Sequence, residues 1–408
     1  MNNCGISKLD LKRRNRMQIL RVIKENNSIS RADIARKLKI TRAAVTVITT
    51  EMLEKNILKE AGSESIESGY EHKGRRKVLL SINPVYSFSI GVYIDKDVMY
   101  IGLTTLNFDV LDKRKILISE SDTLDTISEI IGKTAKKLLQ NNCLNEKNIV
   151  GIGIGVMPIQ YERLEVEKEE DEFCFARFDK EIKKHLNCPI YINNAISLIA
   201  MSNISYNKKT FNDDKLSDFV FLSNEDRYDF VIIKENNILS YSYTYTNIIN
   251  KMCVNPNGKS CTGYPNGSVQ AELSVKALSE SVAPIYSEES TPALYLLTKG
   301  DINTITISKL LTALDEGDTK LKTITEHIME MFCMLLNNLI HGYVVERIYL
   351  HHFDFTNRHI TVLKQYMKRF IGEIEAEKIY LSSIEENHQF IGGCIYAVEK
   401  GFYQKGGF

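Results

Sequence analysis

The chain has 408 residues, 43% of them apolar and 25% charged, which is more length than one hydrophobic core organises and enough apolar content to build two. Its 52 basic and 52 acidic side chains would speak against a nucleic-acid partner if they were evenly spread. They are segregated: residues 1–82 hold 18 Lys and Arg against 9 Asp and Glu, leaving 34 against 43 for residues 83–408, so a basic module precedes an acidic body.

Taken in chain order, residues 11–25 carry Met17, Ile19, Leu20 and Ile23 at helical spacing. Ser30 is placed to cap a helix through Leu38, with Asp33 as a short-armed capping partner and Ile34, Ala35 and Leu38 as its apolar stripe. Thr41 caps a second helix after a tight turn, and Val45, Ile48 and Leu53 form its expected buried face. This is the pattern of a helix-turn-helix, whose second helix enters the major groove. The residues expected at DNA are Arg31, Thr41, Arg42, Ala43, Ala44 and Thr46, the small ones allowing close approach and contact with a thymine methyl. Residues 57–60 and 78–82 read as two strands around a basic loop. Its Lys73, Arg75 and Arg76, beside Gly74, suit a wing that reaches a narrow minor groove and phosphates.

From residue 83 strands and helices alternate, giving an α/β body. Strands are expected over 87–94, 98–104, 149–156, a short buried stretch at 189–192, a hairpin of 219–222 with 230–234, and 347–351. Helices are expected over 124–139, 324–344 and 392–401.

The order of these segments resembles the ROK family (repressors, open reading frames and kinases) in its regulator branch. The residues that carry the resemblance are Ser-Arg-Ala-Asp-Ile-Ala at 30–35, Gly-Arg-Arg-Lys-Val-Leu-Leu-Ser-Ile-Asn-Pro at 74–84 and Gly-Ile-Gly-Ile-Gly-Val-Met-Pro at 151–158. Tyr-Ile-Asn-Asn-Ala at 191–195, Asn-Pro-Asn-Gly-Lys-Ser-Cys-Thr-Gly at 255–263 and Ile-Gly-Gly-Cys-Ile-Tyr-Ala at 391–397 complete them. The resemblance implies a winged helix-turn-helix over 1–82, fused to a two-lobed, actin-like sugar-kinase ATPase fold over 83–408 with a sugar bound in its cleft.

Set beside family kinases, the chain departs where chemistry is done. The first phosphate loop, Asp-x-Gly-Gly-Thr in the kinases, is matched by residues 93–97, Tyr-Ile-Asp-Lys-Asp. The second, Gly-Thr-Gly-x-Gly, is matched by 223–229, where Glu225, Asp226 and Asp229 would repel a polyphosphate. Asn194 stands where the kinases have the Asp that accepts the sugar proton; an amide has no such basicity. Asn193 matches a retained Asn and is either a contact to a ligand hydroxyl or a buried turn amide; a ligand is expected in the cleft beside Asn193 and Asn194. Lys251, Cys261, Gly263 and Ser268 stand where one His and three Cys would bind zinc, so neither a metal nor another cofactor is expected, and nearby Cys253 does not complete a set. Ile248 and Gln270 replace the two sugar-contacting Glu residues.

The remaining features read plainly. His351, His352 and Asp354 suit a polar turn after a strand, and the acidic run 162–172 a solvated loop. Tyr241, Tyr243 and Tyr245 could face either solvent or a ligand. No apolar run nears the ~20 residues needed to cross a bilayer, and Met1-Asn2-Asn3-Cys4 opens no secretory signal, so a cytoplasmic protein is expected. Eight scattered Cys fit free thiols there. The expected function is a transcriptional regulator, a repressor, that binds double-stranded operator DNA as a homodimer or higher oligomer and answers to a sugar or other small-molecule effector, without enzymatic activity. The competing readings are an active sugar kinase with an accessory DNA module and a constitutive DNA binder with an inert dimerising body.

Overall fold

The computed structural model describes residues 8–64, 77–169, 172–211, 218–224, 227–235, 237–239 and 248–407. The DNA-module helices are α1 (Lys8–Asn26), α2 (Arg31–Leu38) and α3 (Arg42–Glu54), with strands β1 (Ile29–Ser30), β2 (Leu58–Glu64) and β3 (Lys77–Ile82) in a small antiparallel sheet ordered β1-β3-β2. Ile19, Leu20 and Ile23 of α1, Ile34 of α2 and Val45 and Ile48 of α3 meet in its core. Two expectations shift by a position or so: Met17 is only half-buried, and on α3 it is Met52, not Leu53, that is fully buried.

The body begins with β4 (Phe88–Ile94), β5 (Val98–Thr105) and β6 (Val110–Leu117), an antiparallel meander. Strand β6 was not foreseen. As a sheet edge it carries Asp112, Lys113, Arg114 and Lys115 among its apolar residues, so no alternation marks it. Helix α4 (Leu124–Asn141) leads to β7 (Ile149–Val156). A small hairpin of β8 (Glu167–Glu169) and β9 (Glu172–Cys174), helix α5 (Ala176–Ile182), strand β10 (Ile190–Asn194) and helix α6 (Ala195–Phe211) follow. β10 was expected to be buried; it is mostly half-buried because it closes the other edge of the sheet, which runs β10-β7-β4-β5-β6.

A second five-stranded sheet contains β11 (Phe219–Asn224), β12 (Tyr228–Lys234), β13 (Asn237–Ile238), β14 (Arg347–His351) and β15 (Ile379–Leu381), in the order β13-β12-β11-β14-β15. Between its strands lie α7 (Ile248–Lys251), α8 (Val269–Leu273), α9 (Val275–Val282), α10 (Pro292–Leu297), α11 (Ile307–Asp315), α12 (Lys322–Tyr343), α13 (Asn357–Phe370) and α14 (Glu373–Ala376). Both sheets follow one plan: an antiparallel three-strand meander whose first strand pairs in parallel with a fourth, and that with a fifth. The chain divides into two compact units. One comprises residues 1–167, 174–199 and 385–408, so the DNA module and the first sheet share it; the other comprises 168–173 and 200–384.

The last helix, α15 (Ile391–Val398), returns to the first unit and lies on β4 and β7 at backbone contact. A Cβ on Gly153 would fall 1.9 Å from the Gly393 carbonyl oxygen, and one on Gly393 would fall 2.2 Å from that of Gly153. Beyond α15 the chain widens into a π-helical turn, Glu399–Tyr403, which sends Phe402 and Tyr403 into the core of the DNA module beside Ile57, Leu58, Leu80 and Ile82. Around that plug, Arg13 donates to the Gln404 carbonyl at 2.8 Å, Arg21 pairs with Glu399 at 3.1 Å, and the Lys24 ammonium sits 4.3 Å from the Tyr403 ring centre. The apolar plug dominates, because partly exposed ion pairs add little. Phe402→Ala is expected to destabilise the DNA module by ~3–5 kcal/mol, read as an earlier chemical-denaturation transition that coincides with loss of DNA binding.

Candidate nucleic-acid interface

The reading unit is built by two caps and a left-handed residue. Ser30 Oγ accepts the Asp33 amide at 3.2 Å and donates to the Asp33 carboxylate at 2.5 Å, fixing the start of α2. Lys39 then turns the chain with φ of 53°, and Thr41 Oγ1 accepts the Ala44 amide at 3.2 Å to start α3. Both caps fall where the sequence placed them. The angle between α2 and α3 is held from inside by the buried Thr49 hydroxyl, which receives the Arg31 Nε–H at 3.0 Å and donates to the Val45 carbonyl at 2.8 Å.

The residues expected at DNA separate into groups. Thr41, Arg42, Ala43 and Thr46 are exposed at the N-terminal end of α3, whereas Ala44 is half-buried. Arg31 is half-buried and its Nε–H is spent on Thr49, so it acts on the orientation of α3 whatever its remaining nitrogens do. Lys73, Arg75 and Arg76 lie outside the described residues; below them β2 and β3 form the paired stem of the wing. Two residues were missed. Val47, 64% exposed, and Thr50, also exposed, continue the stripe of Arg42, Ala43 and Thr46 along α3. The signal was in the sequence: 42, 46 and 50 recur every four residues, as do 43 and 47. An exposed Val on this face suits a thymine methyl.

Two carboxylates brace the module. Asp33 is held below its ordinary value of 3.8 by the Ser30 hydroxyl first, then by Lys77 and Arg36, against the opposing effect of burial. Glu51 is held below 4.5 chiefly by its hydrogen bond to Lys12.

In the body, the Asn193 and Asn194 pair sits at the end of β10. Asn194 is buried; its Nδ2 donates to Tyr161 Oη at 3.1 Å and its Oδ1 accepts the Ser197 amide at 3.2 Å, so it caps α6. Asn193 accepts the Asn194 amide at 2.8 Å and hydrogen-bonds the phenol of Tyr396 on α15. The pair is thus joined directly to the helix that runs on into the DNA module. The loop matched to the family zinc site is organised without metal-binding geometry. Buried Glu272 accepts the Lys259 amide at 2.7 Å and the Asn255 side chain at 3.3 Å, and Ser268 caps α8. No group of three metal-binding side chains occurs among the described residues. Nor is any described helix long and apolar enough to cross a membrane. Tyr241, Tyr243 and Tyr245 lie outside the described residues.

A capped helix pair on a winged core, carried by a body with two like-planned sheets, defines the class: a winged-helix DNA-binding protein with a sugar-kinase-like body. The winged helix-turn-helix DNA-binding family matches residues 12–59. A xylose repressor of Caldicellulosiruptor bescii is 24% identical over 405 residues, covering 95% of this chain and 96% of that one. The xylose repressor of Bacillus subtilis is 24% identical over 277 residues, 67% of this chain and 68% of that one. Among solved structures, a ROK family transcriptional regulator homologous to the E. coli Mlc protein superposes with a TM-score of 0.70 at 16% identity over 97% of both chains. A ROK hexokinase from Thermus thermophilus reaches 0.57 at 11% identity over 77% of this chain and 99% of its own. Over nearly its whole length the chain is thus similar to a xylose repressor, and it has the fold of a ROK family transcriptional regulator.

Replacing Val47 by Ala is expected to cost ~1 kcal/mol at a thymine-containing position and little elsewhere, while Arg42→Ala should cost ~1–3 kcal/mol and relax preference at one base pair; binding titrations on operator point variants measure both. The acid side of module stability has a definite sign. Lowered carboxylate values mean that their contribution is complete above the ordinary 3.8 and 4.5 and is lost as pH falls through the lower folded values. Stability should therefore hold from neutrality down to about pH 4.5 and fall below it, and Asp33→Asn should flatten that fall in a pH series of thermal melts.

Proposed function

We propose that the chain is a cytoplasmic repressor of carbohydrate genes. Residues 1–82 hold double-stranded operator DNA, and residues 83–408 pair two copies and release the DNA when a sugar occupies the body. The observation that carries this reading is continuity: Asn193 bonds Tyr396 on α15, and α15 runs on into the π-helical turn whose Phe402 and Tyr403 complete the DNA module's core. A ligand at Asn193 that moves α15 acts on the module through that plug. The names carried by the relatives support repression and make xylose the first sugar to test. A homodimer, or a higher assembly of dimers, follows from the short half-site that one recognition helix reads; two copies on a two-fold axis lie a helical turn, or a multiple of it, apart.

The body acts as a sensor and not as an enzyme. Asn194 has both ends of its amide committed, to Tyr161 and to the start of α6, and an amide cannot take the proton of a sugar hydroxyl. The acidic replacements in the second phosphate loop disfavour ATP on the same grounds as in the sequence.

Operator titration of the full chain with and without xylose is the direct test. A saturable loss of affinity of tenfold or more is expected, which needs a coupling of about 1.4 kcal/mol between the two sites. Incubation with ATP and xylose should give no phosphosugar above the protein-free rate. Turnover would overturn the sensor reading, and an effector response that survives Asn193→Trp would move the sensing site elsewhere.

A further inference from the structure

The turn between β5 and β6 holds a backbone conformation that its side chain does not favour. Phe108 has φ of 65°, in the left-handed region where turns ordinarily place Gly, Asn or Asp and where a bulky side chain is rare. The turn is tied around it. The Phe108 amide donates to the Thr105 carbonyl at 3.0 Å and the Thr105 amide to the Asp109 carbonyl at 3.1 Å, while the Thr105 hydroxyl accepts the Asn107 and Asp109 amides, each at 3.3 Å. Asn107, a residue type suited to that conformation, stands one place earlier. A strained residue persists where its surroundings over-determine it, and such positions gather where a protein must hold a shape for its function.

The surroundings here are the DNA module. Phe108 is half-buried and, with the buried Leu106, packs against the core formed by α1, α2, α3 and the wing strands. The Leu106 amide donates to the Pro84 carbonyl at 3.0 Å, which binds the same turn to the linker of residues 83–87 between module and body. That linker is fastened at both ends. Asn83 donates its amide to the Ile57 carbonyl at 2.8 Å and its side chain to the Asn56 carbonyl at 3.0 Å, and the Ser87 hydroxyl donates to the Asn148 carbonyl, just before β7, at 2.7 Å. Asn56 and Ile57 close the C-terminal end of α3, their amides donating to the Leu53 and Met52 carbonyls at 2.9 Å. The recognition helix is thus anchored to the first sheet at its rear end as well as through the C-terminal plug. Phe108 is the side chain that the hairpin adds to this joint from a partly exposed position, so its removal opens no deep cavity in the module.

We propose that Phe108 is a positioning residue for operator recognition: its ring fixes the heading of α3 on the first sheet, and thereby the separation of half-sites that a pair of chains accepts. The proposal rests on the reading that two copies, paired through the body, hold two half-sites. A module free to pivot would read one half-site as well as a fixed one, but would tolerate half-sites displaced around and along the duplex.

Half-site duplexes selected by the full chain from a random library supply the probe, used singly and in pairs of varied separation in fluorescence-anisotropy titrations. Two added base pairs turn the second half-site by about 70° around the duplex. The wild-type chain is expected to lose about tenfold or more in affinity on that change. Phe108→Asn, which removes the ring but suits the left-handed turn, should lose about threefold or less, with single half-site affinity within about twofold of wild type and no lower Tm. Phe108→Leu, which returns an apolar side chain to the same place, should restore the wild-type discrimination. Full discrimination in Phe108→Asn, or none in Phe108→Leu, would overturn the assignment, as would a lower Tm with parallel loss of single half-site binding in Phe108→Asn, which would make the ring structural. A wild-type chain that binds paired half-sites no better than single ones would instead overturn the two-copy reading, and the proposal with it.

Discussion

The backbone contact between α15 and strands β4 and β7 is the constraint on which the first unit depends. Gly153 and Gly393 leave no room for a side chain on either surface, and Gly401 repeats the condition about two turns later, where a Cβ would lie 2.3 Å from the Val150 carbonyl oxygen. A helix seated this way has little freedom to slide or rotate, because every small displacement meets main chain and not a yielding side chain. Its continuation is therefore delivered to a fixed place. That place is the interior of the DNA module, where Phe402 and Tyr403 pack with residues of α1, α2, α3 and the wing strands. The module thus owes part of its core to a segment more than 300 residues away in sequence.

The consequence reaches the recognition helix. α3 is positioned by its own caps and by the Arg31 to Thr49 bond, but its buried face belongs to the same core as Ile57, Leu80 and the C-terminal plug. A shift of α15 can change the setting of α3 without any change in the residues that read DNA. The π-helical turn follows the seated helix directly and carries the plug itself, a local widening of the backbone where the element passes from the body to the module.

In the body, residues at positions of family chemistry have taken structural work. Asn194 caps α6, Ser268 caps α8, and Glu272 gathers the loop between Asn255 and α8. These hydrogen bonds, largely to nearby backbone, hold the β10–α6 junction and the 255–272 loop in place. Tyr228 and Asn250 differ from these: both are buried, and Tyr228 Oη and Asn250 Oδ1 find no hydrogen-bond partner among the described residues.

The sequence by itself determined the local structure that rests on short-range rules. Ser30 and Thr41 as caps, the apolar stripes of α1 to α3, and the continuous apolar run of β7 were legible because caps and periodicity act within a few residues. The exposed face of α3 was legible in part: Arg42, Ala43 and Thr46, expected there, are exposed, and Val47 and Thr50 share the face by the four-residue spacing that the sequence also carries. Only the tertiary structure decided what depends on distant partners. The edge strand β6 escaped because its exposed side chains erase the alternation, and the repetition of one sheet plan is a matter of pairing order, which no single strand encodes. The role of Phe402 and Tyr403 was equally invisible. Two aromatics near a helix end read alike whether they face their own lobe or another module, and which they face is fixed by the glycine-to-glycine seating of α15 far from them in sequence.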